Sequence, residues 1–417
     1  MQGNHGQGAV RPMRMTCQGA PAPPLEDGNI LSMILLRLPP LPSSLPRASL
    51  VCKPWRRLIT DPRFHRRFLA HHKKAPLLGF FFSDYGGRIG FRPAQDPPNR
   101  IPAERLSSLQ LGVGITIILG CHHGRLLVLN FREQHFVVWD PITGDHHHVD
   151  IPQMLKENKI LGRHGVVVCA SREENHVHGA CHAEPFQVVL IGCNKEGVFA
   201  FVYSSEAGTW GNLISLLLPP QPDMAFHLIV PVDCRSSLVG NSVYWVPVGM
   251  MGAALEFNLH SQTIAIIDAP PNAFNFNAFM EQRLQPFIVP ADGGGISFIV
   301  LAGFSVHVWK RVSNGDGDAG WVFKNTVELS SLLSLKPRDH RINTQEPLKI
   351  LGLDEDDNVI FRSSNTGVIY MVHLETLQFK VLSVNMNDSE AYPFSSFYTG
   401  GMHPETGMHG DEDANNA

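Results

Sequence analysis

Histidine and cysteine side chains are the residues in this sequence whose types and spacing could do chemistry. The chain has 417 residues, with 21 histidines and seven cysteines. Three clusters stand out: Cys121-His122-His123, His146-His147-His148, and a run with His176, His178, Cys181 and His182. Sulfur and imidazole donors suit zinc, and the third cluster could present alternate side chains on one face of a strand. No cluster has a closed four-ligand spacing with a second paired half, so we expect exposed loop histidines, no metal site and no cofactor.

Other motifs with possible chemistry fail because of their surroundings. The stretch Gly315–Gly320 fits the Gly-x-Gly-x-x-Gly pattern, but it lies between two predicted strands and its two aspartates would repel phosphate. The acidic run Asp354–Asn358 begins like a calcium loop, but Val359 occupies the position that needs glycine. Ser305 is not in a Gly-x-Ser-x-Gly nucleophile elbow. No spacing places a nucleophile beside a base, so the sequence predicts a protein that is not an enzyme.

Composition places the chain among soluble globular proteins. Its length suggests two or three domains, and its mean hydropathy is −0.04. It has no uncharged apolar run of about 18 residues, so we expect no membrane span. Residues 1–24 lack the apolar core of a secretory signal, and the cysteines include no Cys-x-x-Cys pair. We therefore expect reduced thiols and a location in the cytoplasm, the nucleus or both.

Charge is unevenly distributed along the chain. Residues 25–74 carry ten Lys and Arg against three Asp and Glu, a net charge of +7. The chain from residue 75 onward carries 22 basic and 35 acidic side chains, a net charge of −13. An acidic domain repels a phosphate backbone, so we do not expect nucleic acid as its ligand. The basic stretch is interpreted as a solvated helical face.

A short helical module at residues 25–74 must position any partner contact near the N-terminus. Ile30, Ile34 and Leu38 recur every four residues, as in the apolar stripe of an amphipathic helix. Proline ends that helix at Pro39. Capping and proline signals predict three more short helices, which start at Ser43 or Ser44, at Pro54, and at Asp61-Pro62. Helices this short leave apolar faces uncovered, so either another protein or the rest of the chain must cover them.

A repeating β pattern replaces the helical one from Leu77 onward. The anchors of successive units lie 52 to 64 residues apart, at Trp139, Tyr203, Phe257, Trp309 and Met371. Each unit contains three or four predicted strands, which is typical of a β-propeller blade. A degenerate unit between Leu77 and Leu119 gives about six blades, and Ala391–Tyr398 would close the ring beside Leu77–Phe82. An irregular β-sandwich or two smaller β domains is the alternative.

The predicted fold class is therefore α+β multidomain, with a small all-α unit of three to four helices before an all-β propeller of about six blades. We place a disordered leader at residues 1–24, the helical domain at 25–74, the propeller at 75–399 and a disordered tail at 400–417. The change from helical to strand periodicity defines the boundary between the two folded parts.

The helical module resembles the F-box in the order and spacing of four motifs, which are Leu35–Pro39, Ser49–Lys53, Trp55–Ile59 and Asp61–Phe64. Its continuation is similar to the large F-box families of grasses, through Arg66–His72 and Pro76–Phe80. The family usually opens with Leu-Pro, two variable or acidic residues and Leu-Leu, whereas Gly28-Asn29 occupies the first turn here. The texture of the large domain, including Trp139-Asp-Pro and a Ser-Phe-Tyr near the C-terminus, resembles kelch-type propellers of F-box-associated domains.

This resemblance implies a substrate receptor of an SCF-type ubiquitin ligase. The F-box would bind a Skp-type adaptor and through it a cullin, and the propeller would hold a target protein of unknown identity. The residues expected in the adaptor contact are Ile30, Ile34, Leu35, Leu38, Pro39, Leu50, Val51, Trp55 and Leu58. Of these, Val51 and Leu58 are the members expected to lie in the internal core instead. Two alternatives stay open: a propeller scaffold acting outside ubiquitylation, and a propeller that binds a small molecule, glycan or metal beside a degenerate F-box.

Overall fold

The fold is given by a computed structural model of the chain. It describes residues 27–84, 87–106, 115–153, 155, 161–171, 173, 176–194, 196–218, 234–247, 253–274, 284–313, 319–335, 347–386 and 390–398. The predicted leader at 1–24 and tail at 400–417 lie outside these residues. Helices come first along the chain, and strands arranged in six sheets follow.

The N-terminal unit consists of four helices: α1 (Gly28–Leu36), α2 (Ser44–Ser49), α3 (Lys53–Ile59) and α4 (Pro62–His72). Helix α1 forms although Gly28 and Asn29 are poor helix formers, because Asp27 caps it. Asp27 Oδ1 accepts the backbone N–H of Asn29 at 2.8 Å and that of Ile30 at 3.2 Å. Pro54 lies in the first turn of α3, as predicted.

The helical unit has an apolar core of its own. Its buried members are Leu31, Leu35, Leu45, Ala48, Ile59, Phe64 and Phe68. The rings of Phe64 and Phe68 stack with their centroids 6.3 Å apart, and they close the core from the side of α4. A core of so few residues covers only one side of each helix, which leaves apolar side chains on the other.

Two polar contacts attach the helical unit to the rest of the chain. Ser43 precedes α2 as predicted, but its hydroxyl does not cap the helix. It donates instead to Asn99 Oδ1 at 2.7 Å, and the same oxygen accepts the Ser43 backbone N–H at 3.2 Å. At the end of the unit, Lys74 Nζ lies 3.6 Å from Asp356 and 3.8 Å from Asp357. The helical unit therefore has a defined position on the β domain.

The β domain is a six-bladed propeller, which confirms the predicted fold class. Blade 1 contains β1 (Leu77–Ser83), β2 (Ile89–Pro93) and β24 (Ala391–Ser395). Blade 2 contains β3 (Thr116–His122), β4 (Arg125–Asn130), β5 (His135–Trp139) and β6 (His146–Asp150). Blade 3 contains β7 (Leu161–Cys169), β8 (Phe186–Asn194), β9 (Gly197–Ser204), β10 (Thr209–Trp210) and β11 (Ile214–Leu217).

The remaining blades are regular four-stranded antiparallel sheets. Blade 4 contains β12 (Ser236–Val239), β13 (Ser242–Trp245), β14 (Ala254–Asn258) and β15 (Thr263–Ile267). Blade 5 contains β16 (Gln285–Pro290), β17 (Ile296–Ala302), β18 (Ser305–Ser313) and β19 (Ala319–Glu328). Blade 6 contains β20 (Leu348–Leu353), β21 (Val359–Ser363), β22 (Val368–Val372) and β23 (Phe379–Asn385). A short helix α5 (Leu329–Leu332) precedes blade 6.

Blade 1 closes the ring with strands from both ends of the propeller. Strand β24 pairs antiparallel with β1, so that Phe81 lies opposite Tyr392 and Phe80 opposite Pro393. This is the pairing predicted for Ala391–Tyr398. Closure joins the end of the ring to its beginning and leaves no open gap between the first and last blades.

The propeller core consists of six apolar clusters, each between two neighbouring blades. The cluster between blades 1 and 2 contains Phe81, whose ring lies 5.3 Å from that of Trp139 and 5.1 Å from that of Phe394. Among the predicted anchors, Trp139, Phe257 and Trp309 are buried, whereas Tyr203 and Met371 are half-buried. The repeat in the sequence is therefore a repeat of blade-to-blade packing.

Candidate functional site

The outer face of α1 carries three large apolar side chains. Ile30, Met33 and Ile34 are 41%, 51% and 41% exposed, and their i, i+3, i+4 spacing puts them on one side of the helix. The opposite side, with Leu31 and Leu35, packs in the helical core. A single solvated apolar residue needs no explanation, but three on one face of a nine-residue helix form a continuous uncovered face.

A second pair of exposed apolar side chains follows α2. Leu50 is 83% exposed and Val51 is 62% exposed. The prediction that Val51 lies in the internal core is wrong. Helix α2 ends at Ser49, and Leu45 and Ala48 take its inward positions, so Val51 lies beyond the helical stripe. We call Ile30, Met33, Ile34, Leu50 and Val51 the exposed apolar set.

The other residues predicted for the partner contact are less accessible. Leu35 is 1% exposed, and no partner can touch it while the helical unit is folded, so we assign it to the core rather than to the contact. Leu38, Trp55 and Leu58 are half-buried against the edge of the core, and Pro39 is exposed. Met33 was missed, although its position three residues after Ile30 could have revealed it.

Basic side chains lie next to the exposed apolar set in the sequence. Arg37, Arg47, Lys53 and Arg56 are all exposed. The Arg37 guanidinium donates from Nη1 to the backbone carbonyl of Met33 at 3.0 Å, which holds its charge beside the face of α1. Apolar side chains with basic neighbours can bind an apolar surface that has acidic groups around it, and they cannot carry out bond chemistry.

The propeller offers a cavity of about 150 Å³ on its axis, lined by the innermost strands of several blades. Arg235 Nη2 donates to Glu390 Oε2 at 2.7 Å, and its guanidinium lies 4.0 Å above the ring of Tyr392. Lys349 pairs with the other oxygen of the same carboxylate. Arg235 Nε and Nη1 have no hydrogen-bond partner among the described residues. Two cations therefore share one carboxylate, which leaves a net positive charge in the cavity wall.

Burial controls the titration of the imidazoles around this cavity. It lowers the pKa of His122 to about 4 and that of His164 to about 3. His164 accepts the indole N–H of Trp245 at its Nδ1, over 3.0 Å. Burial also raises the pKa of Glu355 above its usual range. At neutral pH both histidines are therefore uncharged hydrogen-bonding groups.

The three histidine clusters differ from what was expected of them. His146, His147 and His148 are exposed, but they lie on strand β6 rather than in a loop. His122, His123, His176 and His182 are half-buried. His182 Nδ1 lies 2.7 Å from Asp140 Oδ2. The expectation of exposed loop histidines is therefore wrong for the residues between blades, which are tied into the structure.

Protein-family models match both parts of the chain. A model described as F-box protein AT5G49610-like, beta-propeller, matches residues 117–399, and the F-box domain model matches residues 24–67. No curated protein matches the sequence. Among the helices in the described ranges, none is long and apolar enough to cross a membrane.

Solved structures similar to this chain include three propeller-sized proteins. A catalytically inactive virginiamycin B lyase from Staphylococcus aureus with quinupristin has 9% identity and a TM-score of 0.36, and the match covers 76% of this chain and 87% of that one. For a nidogen/laminin complex the values are 11%, 0.36, 75% and 96%. For apo AztD from Citrobacter koseri they are 10%, 0.36, 76% and 82%. At such low identities and TM-scores, these structures carry no argument about this chain.

Proposed function

We propose that this chain, which belongs to the F-box protein AT5G49610-like β-propeller family, is the substrate-recognition subunit of an SCF-type ubiquitin ligase. In that role the F-box binds a Skp-type adaptor and through it a cullin, and the propeller binds a target protein. The observation that carries the proposal is the exposed apolar set on a helical unit whose remaining large apolar residues are packed. Part of the proposal is a location in the cytoplasm, the nucleus or both, which fractionation of cells expressing the tagged protein tests.

Energetic magnitudes support a contact made by the whole set. Complete burial of one large apolar side chain contributes about 1.5–3 kcal/mol. Loss of translational and rotational freedom on association costs roughly 4–15 kcal/mol. One or two such residues would not offset that cost, whereas five with basic neighbours are comparable to it. The partner surface that fits this set is an apolar groove with acidic groups around it.

The proposed mechanism is proximity rather than bond chemistry. A target held on the propeller and an adaptor held on the helical unit become parts of one particle, which raises the effective concentration of target lysines at a ubiquitin thioester. The contacts of Ser43 with Asn99 and of Lys74 with Asp356 favour a defined distance between the two binding surfaces. Catalysis by this chain is not part of the proposal, since F-box proteins typically act as non-catalytic adaptors.

The test is an equilibrium titration of the purified full-length protein against a Skp-type adaptor. We expect submicromolar binding, and we expect Leu50→Asp to weaken it by about 30-fold or more, the effect of losing roughly 2 kcal/mol at a central contact. Leu217→Asp is the matched control, because Leu217 is 71% exposed on blade 3 and its affinity should equal that of the wild type. Circular dichroism must be unchanged in both variants.

Two outcomes would contradict the proposal. Absence of binding by a folded wild-type protein would mean that the helical unit does not take an adaptor, and the propeller would have to act alone. Adaptor binding together with target abundance that does not change on proteasome inhibition would favour a scaffold acting outside ubiquitylation. The first outcome concerns the F-box, and the second concerns the fate of the target.

A further inference from the structure

Four soft metal-binding side chains converge at the connection between β7 and β8. Cys169 is the last residue of β7, and His176, His178 and Cys181 lie in the loop that follows. Their donor atoms, which are two sulfurs and two ring nitrogens, all lie within 4.8 Å of one another. His176 Nε2 is 3.3 Å from Cys169 Sγ and 3.1 Å from Cys181 Sγ, and His178 Nδ1 is 3.6 Å from Cys181 Sγ.

These separations match those of a tetrahedral zinc site. Zinc–sulfur bonds of about 2.3 Å and zinc–nitrogen bonds of about 2.0–2.1 Å place neighbouring tetrahedral ligands roughly 3.3–3.8 Å apart. Two thiolates and two neutral imidazoles would also neutralise a divalent ion. Cys181 is buried and Cys169 and His176 are half-buried, so water is largely excluded from the sulfurs. The hydrogen bond from the Cys181 thiol lowers the pKa of Cys169, which favours a thiolate at one ligand position.

Arg125 holds the ligand loop in place from blade 2. It is 4% exposed, and its Nη2 donates to the backbone carbonyls of Cys181, His182 and Glu184. The last two distances are 3.2 and 2.7 Å. A buried arginine that spans three consecutive turns of a loop fixes its backbone before any ligand binds, so Cys181 does not need to be ordered by the metal itself.

His123 supports the cluster from outside the ligand set. Its ring stacks on that of His178 with the centroids 3.6 Å apart and the planes 5° from parallel. Its Nδ1 accepts the backbone N–H of Cys169 over 3.0 Å. Burial, together with the neighbouring His178, keeps the pKa of His123 well below its usual range, so the ring stays neutral. Such outer contacts orient ligands in metal sites.

The same loop touches the points where the chain enters and leaves the propeller. The carbonyl of Gly179 accepts the Ser396 hydroxyl at 2.8 Å and the Phe397 backbone N–H at 3.0 Å. Gly179 has a φ of 87°, and a Cβ there would lie 2.5 Å from the Cβ of Ala75. Only glycine fits this close approach. The loop therefore links blade 3 to the closing blade and to the junction with the helical unit.

We propose that Cys169, His176, His178 and Cys181 form a structural zinc site that fastens the β7–β8 loop across the closure of the propeller. Four protein donors complete the tetrahedron and leave no open position for catalysis. The site is independent of the proposed ligase function, since it uses none of the residues of the exposed apolar set.

The first test measures the zinc content of the full-length protein, purified without a histidine tag and under reducing conditions. We expect about one zinc per chain for the wild type and less than about one tenth of that for Cys169→Ser/Cys181→Ser, because neither hydroxyl replaces a thiolate ligand. Cys52→Ser removes an exposed thiol outside the loop and should retain the metal. His146→Gln/His148→Gln removes the exposed imidazoles of β6 and should retain it too.

Neighbouring carboxylates provide a further control on the ligand set. Glu173 and Glu184 also come close to His176, and together they could form a weaker oxygen-rich site. Glu173→Gln should leave the zinc content unchanged if the two sulfurs are ligands. Loss of zinc in Glu173→Gln, or retention of zinc in the double cysteine variant, would overturn the proposal.

A second measurement does not depend on the folding of any variant. Replacement of the metal in the wild type by Co²⁺ should produce thiolate-to-cobalt charge transfer and the strong visible bands of a tetrahedral ion. Weak bands without charge transfer would overturn the assignment. So would a thiol count that rises only after reduction, because Cys169 and Cys181 would then be joined as a disulfide rather than bound to a metal.

Discussion

The helical unit and the propeller solve the problem of apolar surface in opposite ways. The propeller packs its large apolar residues in six clusters between neighbouring blades, and each blade covers the faces of the next. The helical unit has one small core and leaves five large apolar side chains in solvent within 22 residues of sequence. Repetition lets one domain close on itself, whereas a short unit of four helices remains incomplete without a partner.

This difference indicates where each part can bind. In the helical unit, the regular elements themselves carry the exposed apolar set, so binding and folding use different faces of the same helices. In the propeller, the strands serve packing, and the chemistry lies in the connections and on the axis, as with the β7–β8 loop and Arg235. The predictions below separate stability from binding in the two parts.

Removal of a buried ring between blades should have the largest effect. Phe81→Ala takes away a side chain that is 0% exposed and contacts the rings of Phe91, Trp139 and Phe394. We expect a loss of about 3–5 kcal/mol in the free energy of unfolding of the propeller, measured by denaturant titration. Phe131→Ala, at a site that is 56% exposed, should change it by less than about 0.5 kcal/mol. Equal effects of the two variants would contradict the packing between blades.

Leu35→Ala should destabilise the helical unit and leave the propeller folded. Leu35 is buried in the helical core, so its truncation should cost about 2–5 kcal/mol, seen as earlier loss of the helical circular-dichroism signal on heating. Ile34→Ala, one residue earlier and 41% exposed, is the matched variant and should melt close to the wild type. If Ile34→Ala were the more destabilising change, the assignment of the two faces of α1 would be reversed.

Acid should weaken the propeller through His164. Its pKa in the folded protein is about 3, below its usual 6.5, because burial disfavours the charged ring. The unfolded chain binds the proton first as pH falls below 6.5, so this contribution to stability is complete above that pH and is lost progressively toward pH 3. Between pH 6.5 and 5 the loss is about 2 kcal/mol for a single group with this shift.

The check on His164 is the difference between two pH profiles. Denaturant titrations of the wild type and of His164→Gln should run closer together as pH falls from 6.5 to 5, because only the wild type loses this histidine's contribution. The wild type also loses the acceptor for the Trp245 indole when Nδ1 is protonated. Parallel profiles would mean that His164 is not held neutral by the blades around it.

Loss of the α1 cap should have the smallest effect. Asp27→Ala removes the acceptor for the backbone N–H groups of Asn29 and Ile30, so the helical unit should lose about 1 kcal/mol. Asp27→Asn keeps an acceptor oxygen and should retain most of that stability, which thermal melts of the two variants can compare. No difference between the alanine and asparagine variants would show that the first turn does not depend on this cap.

Much of the architecture was predictable because it follows from local rules. Prolines and aspartates marked the helix starts, and the anchor spacing gave the blades and the closing strand. The face of α1 was not predictable, because Ile30–Leu36 is apolar nearly all round, and periodicity cannot then distinguish Leu35 from Ile34. The β7–β8 cluster was missed for another reason: Cys169 belongs to the preceding strand, and only the fold brings it to the three loop residues.

The account depends most directly on whether exposed apolar residues of the helical unit bind an adaptor, and one pair of valines tests this. Val51 and Val322 are 62% and 56% exposed, one on the helical unit and one on blade 5. In titrations against a Skp-type adaptor, Val51→Asp should weaken binding by about 30-fold, while Val322→Asp should bind like the wild type. Both should unfold within about 0.5 kcal/mol of the wild type. Equal affinity of the two variants for the adaptor would contradict the account.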